Sequence, residues 1–275
     1  DHNGSRGLGD VYKRQIYRMY SNTKIVTSVA LMMLYEEGLF DLDDPLAKFM
    51  PQFDGLSVLK PDAQSAQDVV PAKQMMLIRH ILSHSAGFSY GFIEPESVID
   101  QAYLQGGLNV LADSSIELEE FCDRVARLPL AYEPGTSWRY SVATDVCARL
   151  VEVLSGMAFD EFLQQRIFEP LGMPDTDFWV PPEKASRFIT QYSPTDLFDP
   201  MKPGLVKVDD PVTGQYNKKR ALLSGGGGLV STVADYVKFL QMIVGGGERQ
   251  GVRVLKAATL ELMRTNQLAT GVSVA

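Results

Sequence analysis

The chain has 275 residues, 45% of them hydrophobic and 22% charged, with a formal net charge of −8. That is enough apolar material for a sizeable core, and the acidic balance argues against sequence-independent binding to nucleic acid or to an anionic membrane. Lys218-Lys219-Arg220 reads as a solvated loop rather than a nucleic-acid patch, and the longest apolar runs are about half the roughly twenty residues that a membrane-spanning helix needs.

Ser5 to Gln15 reads S-R-G-L-G-D-V-Y-K-R-Q, which matches the translation of a transposon-type sequencing adapter. Residues 1–15 are therefore expected to be foreign and are set aside as an expression tag would be. Ile16 is then the first native residue. A leader, if there is one, would precede it, so a cytoplasmic and a periplasmic or secreted location both stay open.

Ser21-Asn22-Thr23-Lys24 opens an apolar run, Ile25 to Leu34, that predicts a helix from Ser21 to a cap at Gly38. Residues three apart on a helix share a face. An ammonium group held against apolar packing loses its proton more readily, which makes Lys24 a candidate base for a Ser21 nucleophile. The helix start also offers backbone N–H groups and a positive dipole end to an oxyanion. The alternative is an ordinary helix N-cap with a solvated lysine. Ser57-Val58-Leu59-Lys60 has the same spacing, but Pro61 disfavours helical geometry at Lys60, so Ser57 reads as a loop residue.

Asp41 to Pro45 turns into a short helix expected to end before Pro51. Helical spacing of apolar residues recurs over Met75 to Ser83, Leu118 to Leu128, Val142 to Leu154, Phe159 to Phe168, Ala234 to Val244 and Ala257 to Met263. Ser137 to Tyr140 and Gly228 to Ser231 are candidate short strands. Pro181 to Tyr216 reads as a long surface excursion, either a plain connection or a loop shaping substrate access. Cys122 and Cys147 fall in predicted helices and read as small buried thiols.

Several other patterns carry chemistry. Gly87-Phe88-Ser89-Tyr90-Gly91 fits G-x-S-x-G, yet that nucleophile elbow needs a strand before the serine and a histidine after it, and His2, His80 and His84 all come earlier. An α/β-hydrolase using Ser89 remains an alternative reading. His80 and His84 have the spacing of a metal pair, but Ile81 stands where a zinc protease carries glutamate, and core-edge or capping roles fit better. Gly225 to Gly228 lacks the Lys-Ser/Thr of a phosphate loop and predicts a tight turn or a close backbone approach to an acyl group, with Gly226 and Gly227 as pocket candidates. Tyr140, after the turn residues Glu133 to Thr136, offers a phenol as base; its alternative is a core-edge aromatic. Ser141 is placed to cap the next helix, which Gly156 ends.

Taken together, Ser21-x-x-Lys24, His80 to Gly87, Glu133 to Thr136, Tyr140-Ser141, Phe168 to Met173 and Gly225 to Ser231 resemble the serine β-lactamase and penicillin-binding superfamily. The resemblance runs from Tyr17 to Leu268 and is closest to the class C-like branch that includes family VIII carboxylesterases. It implies an α+β fold, a helical domain plus antiparallel sheet, that is mostly helical here because outer strands are expected to be cut away at both ends. Residues 16–275 would then be an incomplete β-lactamase-like serine hydrolase domain. The resemblance further implies Ser21 as acylated nucleophile with its own N–H as one oxyanion donor, Lys24 as proton acceptor, and Tyr140 as partner base and proton relay.

Val142 departs from the pattern, because members of the Tyr-x-Asn type carry an amide there. Valine cannot hydrogen-bond, which disfavours a β-lactam or peptide amide and favours an ester. The family's third element, a Lys-Thr-Gly or His/Trp-x-Gly strand, would lie beyond Ala275, so these residues alone are expected to be inactive and the parent active. The implied protein is a bacterial serine hydrolase of short-chain carboxylic esters with a small ester or amide as partner. No metal or organic cofactor is called for. A β-lactamase, a D-alanyl-D-alanine carboxypeptidase and a non-catalytic binding protein of the same fold are the alternatives.

Overall fold

The computed structural model describes residues 12, 14–108, 115–196, 199 and 201–274. Most of the adapter-like segment, residues 5–11 and 13, lies outside the described residues, as does His2. The fold is helices plus short antiparallel sheets, with helix in excess of strand among the described residues, as the resemblance implies.

Helix α1 (Thr23–Glu36) runs through the centre of the core. Its buried residues include Val26, Thr27 and every position from Val29 to Leu34, so it is covered on nearly all sides rather than along one stripe. A tight turn, Tyr20–Asn22, leads into it, and Gly38 follows its end with φ +75.

The expected helices before position 90 are shorter than their apolar spacing suggests, because backbone pairing takes residues from both. Leu46 N–H donates to the Met76 carbonyl at 2.8 Å, and Pro45 bridges Leu77. What remains is α2 (Ile78–Leu82) and, where a second helix is expected, a single helical turn at Leu46–Lys48; another turn, Pro51–Phe53, follows beyond its expected end. Ser57 opens a strand instead of lying in a loop. Strand β2 (Ser57–Leu59) pairs antiparallel with β3 (Val69–Pro71), with Val58 turned into the core.

Helix α3 (Val98–Gln105), capped by Ser97 accepting the Asp100 N–H at 3.3 Å, is absent from the sequence reading because its eight residues carry a weak stripe. Helix α4 (Leu118–Ala126) buries Leu118, Phe121, Cys122 and Val125, the spacing of a one-faced helix. Helix α5 (Ala143–Ser155) packs along α1, where Ala143, Cys147 and Ala148 let the two backbones come close. Gly156 ends it in the left-handed region. Cys122 and Cys147 are buried free thiols.

Phe159 to Phe168 divides into α6 (Phe159–Leu163) and a wider turn of helix, Gln164–Phe168, before α7 (Glu169–Leu171). Ser137 to Tyr140 is not a strand; Arg139 N–H bonds the His84 carbonyl at 3.0 Å, and no ladder forms. The second expected strand is real but shifted. Strand β6 (Val230–Thr232) pairs with β1 (Ile16–Arg18), a strand too short and too close to the chain start to be read from pattern. A smaller apolar cluster of Ile16, Val180, Phe188, Tyr216 and Val230 covers this ribbon.

The excursion after Pro181 folds into a hairpin of β4 (Gln191–Pro194) and β5 (Leu205–Asp209). Helix α8 (Val233–Val244), the small ribbon of β7 (Glu248–Arg249) and β8 (Val252–Arg253), and α9 (Ala257–Arg264) complete the described chain. None of the described helices is long and apolar enough to cross a membrane.

Leu150, fully buried on α5, tests the core. Leu150→Ala should lower the unfolding free energy by about 2–5 kcal/mol, read as a lower urea midpoint at unchanged slope.

Candidate active site

The start of α1 is held in place before any chemistry is considered. Met19 N–H donates to the Leu229 carbonyl at 2.8 Å, and Leu229 N–H donates to Thr23 Oγ1 at 3.2 Å. Between these ties the chain makes its turn through Tyr20, a non-glycine residue at φ +43. The Tyr20 hydroxyl bonds Gln191 on β4. The turn leaves Ser21 exposed at the helix start.

Three side chains meet there, Ser21 and Lys24 from one turn and Tyr140 from far along the chain. Ser21 Oγ lies 2.5 Å from Tyr140 Oη, and Lys24 Nζ lies 3.5 Å from the same Oγ. The ammonium donates to the Gly226 carbonyl at 2.6 Å and sits 4.6 Å from the Tyr140 ring centre and 5.6 Å from that of Tyr90. Ser21, Lys24, Tyr140, Tyr90, Phe92 and Gly227 line a cavity of about 50 Å³. A larger cleft of about 330 Å³, along Ser28, Met32, Trp138 and Leu262, contains none of the first three.

The glycine run is shaped by close packing. A Cβ at Gly225 would meet the Thr144 carbonyl at 2.6 Å, and one at Gly226 would meet Asp145 Oδ2 at 2.7 Å. Gly227 has more room, since its nearest neighbours, in Tyr20, are 3.7 Å away, and both Gly226 and Gly227 line the cavity. Asp145, in the first turn of α5, accepts from Ser224 Oγ at 2.5 Å and from Gly226 N–H at 3.0 Å. Burial pushes its carboxyl up, against the downward pull of the Ser224 bond and the Lys24 charge. Thr27 Oγ1 donates to the Gly225 carbonyl at 2.8 Å, a further stitch between α1 and the loop.

Val142 does not reach the cavity. It is fully buried at the N-terminal end of α5, packed into the main core, and its N–H donates to the Ser89 carbonyl at 3.3 Å. Ser141 Oγ accepts the Ala143 N–H at 3.4 Å, a weak form of the expected cap.

The histidines do not share a helix face, because α2 ends at Leu82 and His84 takes φ +56 beyond it. His80 Nδ1 accepts the Leu77 N–H at 3.2 Å, a capping role. His84 Nδ1 is 3.2 Å from Ser141 Oγ, and its ring centre lies 5.1 Å from that of Tyr140. No cluster of metal-ligating side chains occurs among the described residues. Ser89 is fully buried, bonded to Asp100 and to Arg139 Nε, with helix rather than strand ahead of it. That setting removes it as an elbow nucleophile.

Sequence reasoning missed Tyr20, Tyr90, Phe92 and Asp145. Asp145 carries a faint signal, since an acidic residue in a helix's first turn is ordinary but full burial of one is not. Tyr90 sits inside the G-x-S-x-G stretch and Phe92 just after it, where attention falls on the serine. As a unit the site pairs a hydroxyl with a phenol, with an ammonium beside both. Such an arrangement can take a proton from the hydroxyl and hold the resulting charge.

The Beta-lactamase family pattern matches residues 5–275. An uncharacterized protein of Mycobacterium tuberculosis is 32% identical over 253 residues, covering 92% of this chain and 60% of that protein. A lovastatin esterase of Penicillium rubens is 31% identical over 227 residues, covering 82% of this chain and 54% of its own length. Among solved structures, the unliganded selenomethionyl simvastatin synthase of Aspergillus terreus superposes with a TM-score of 0.72 at 26% identity, over 94% of this chain and 60% of that one. The chain thus spans little more than half the length of the curated relatives it matches.

His84 gives the site's surroundings a measurable acid sensitivity. Burial, with the Lys24 charge second, pushes its imidazole from an ordinary 6.5 down to about 4. An unfolded chain therefore binds a proton there between pH 6.5 and 4 that the folded chain refuses. The contribution is full above pH 6.5 and is lost as the pH falls to 4, in total about 3 kcal/mol. His84→Asn keeps a residue that tolerates the left-handed backbone, and should flatten the fall in urea stability across that window by a comparable amount.

Proposed function

Because this chain belongs to the beta-lactamase family, we propose that the whole protein acts as a serine hydrolase, a carboxylesterase of short-chain esters that works through an acyl-enzyme at Ser21. The observation that supports it most directly is the 2.5 Å approach of Tyr140 Oη to Ser21 Oγ with Lys24 Nζ 3.5 Å from that oxygen. In the reacting state Tyr140 has given up its own proton and, as a phenolate beside the Lys24 ammonium, takes the Ser21 proton as Oγ attacks the ester carbonyl carbon, while Lys24 stabilises the charge on both oxygens. The Ser21 N–H, at the positive end of α1, faces the carbonyl oxygen as it becomes an oxyanion. The alcohol leaves with the proton held by Tyr140. Water then attacks the Ser21 ester, gives its proton to Tyr140, and the acid departs as Oγ recovers a proton.

Two features favour a small ester over an amide. The cavity beside Ser21 is about 50 Å³ and has aromatic walls in Tyr90 and Phe92, which suits a short acyl group. The position of the family's polar amide is occupied by a valine turned into the core, so a substrate amide has no partner there. The likeness to a lovastatin esterase is consistent with ester chemistry. Nucleic acid does not enter the proposal.

In the whole protein, a fluorophosphonate probe followed by peptide mapping should label Ser21 and not Ser89. Ser21→Ala should abolish labelling and lower p-nitrophenyl butyrate turnover by roughly 10⁴-fold or more, and Tyr140→Phe by about 10²- to 10⁴-fold. Faster turnover of a chromogenic cephalosporin than of the ester would instead identify a lactamase. Neither label nor turnover would identify a binding protein of the same fold.

A further inference from the structure

Ser89 has no part in the proposed acyl transfer, yet it belongs to a polar network whose members are chain neighbours of two tyrosines that line the cavity. Its hydroxyl donates to the Asp100 carboxylate and accepts from Arg139 Nε at 2.7 Å. The guanidinium also meets Asp100 Oδ1 at 3.0 Å and Glu94 at 3.0 Å. The other Asp100 oxygen accepts the Glu94 N–H at 2.7 Å. Asp100 is wholly buried and the Arg139 side chain is 15% exposed, so the pair is largely shielded from water.

The placement of this network matters more than its strength. Arg139 is the chain neighbour of Tyr140, and Ser89 is the chain neighbour of Tyr90. The two tyrosine rings are 5.5 Å apart, with the Lys24 ammonium over both. The guanidinium therefore ties together the stretch that ends at Tyr140, the loop that carries Tyr90 and Phe92, and the first turn of α3. A planar fork of donors fixes direction as well as distance, which a flexible ammonium does not.

We infer that Arg139, acting with Asp100 and Ser89, is a positioning residue for Tyr140, setting the separation of the two tyrosines around Lys24 and hence the approach of the phenol to Ser21. The inference rests on the proposed acylation of Ser21. A shift of about 1 Å in a reacting group costs on the order of 100-fold in rate, so a clamp one residue behind the phenol has leverage on the reaction without touching substrate.

Fluorophosphonate labelling of the whole protein followed by intact mass, over a range of probe concentrations, separates the maximal labelling rate from the half-saturating concentration. The double variant Arg139→Gln with Asp100→Asn removes both charges, so no uncompensated carboxylate stays buried; a circular dichroism melt reports its folding. The maximal rate should fall roughly 10- to 100-fold while the half-saturating concentration moves less than about threefold, with Arg139→Lys in between. Ser89→Ala deletes one hydrogen bond and leaves the ion pair, and should give a smaller fall in the same sense. It decides the matter if the double variant does not fold. A maximal rate within about twofold of the unmodified chain, or a change confined to half-saturation, overturns the positioning role. If the unmodified whole protein takes no label at Ser21, the acylation reading itself has failed, a distinct result.

Discussion

The 2.6 Å bond from Lys24 Nζ to the Gly226 carbonyl is the contact on which the rest of the site depends. It fixes one end of a long, flexible side chain, so that the ammonium stays within reach of Ser21 Oγ and over the two tyrosine rings. The carbonyl is itself immobilised, because Asp145 receives the N–H of the same residue and the Ser224 hydroxyl. The Asp145 charge thus acts on the ammonium at one remove, through a loop. A direct carboxylate partner would tie the ammonium up in an ion pair; a carbonyl holds its position and leaves its remaining donors for the two hydroxyls. Helix α1, helix α5 and the glycine run meet at this point, and the absence of Cβ atoms at Gly225 and Gly226 lets them do so.

What could be read from the sequence follows the range of the physics involved. Helices α1, α4 and α5 were legible because their burial pattern repeats within a few residues, and Ser21 and Lys24 were legible because they share one turn. Tyr140 was placed by the turn residues before it. Strand β1, helix α3 and the pairing of Leu46 with Met76 were not legible, since each takes its stability from a partner elsewhere in the chain. Val142 shows the same limit at a single position. A motif comparison marked it as a missing polar contact, but only the packing of α5 on α1 shows that its side chain points into the core.

Ser21 and Ser89 are chemically identical, and their settings decide what each can do. The hydroxyl of Ser89 is saturated by a carboxylate and a guanidinium and has no route to solvent. The hydroxyl of Ser21 is exposed, meets a phenol and an ammonium, and stands at the start of a helix. The Ser89 oxygen is engaged by a guanidinium donor, whereas the Ser21 oxygen stands beside a phenol that, once ionised next to a cation, can receive its proton. A pattern such as G-x-S-x-G records that a serine is present. It does not record the company the serine keeps.

Tyr20 puts a limit on how far the molecule can be made sturdier. Its left-handed backbone carries a cost of about 1 kcal/mol or more for a residue with a Cβ, so glycine or asparagine there is an obvious choice for an engineer seeking a higher melting temperature. Either exchange gives up the phenol that fastens the β4–β5 hairpin to the turn before Ser21. Thermal robustness and the tie between this hairpin and the turn before Ser21 therefore compete for a single codon.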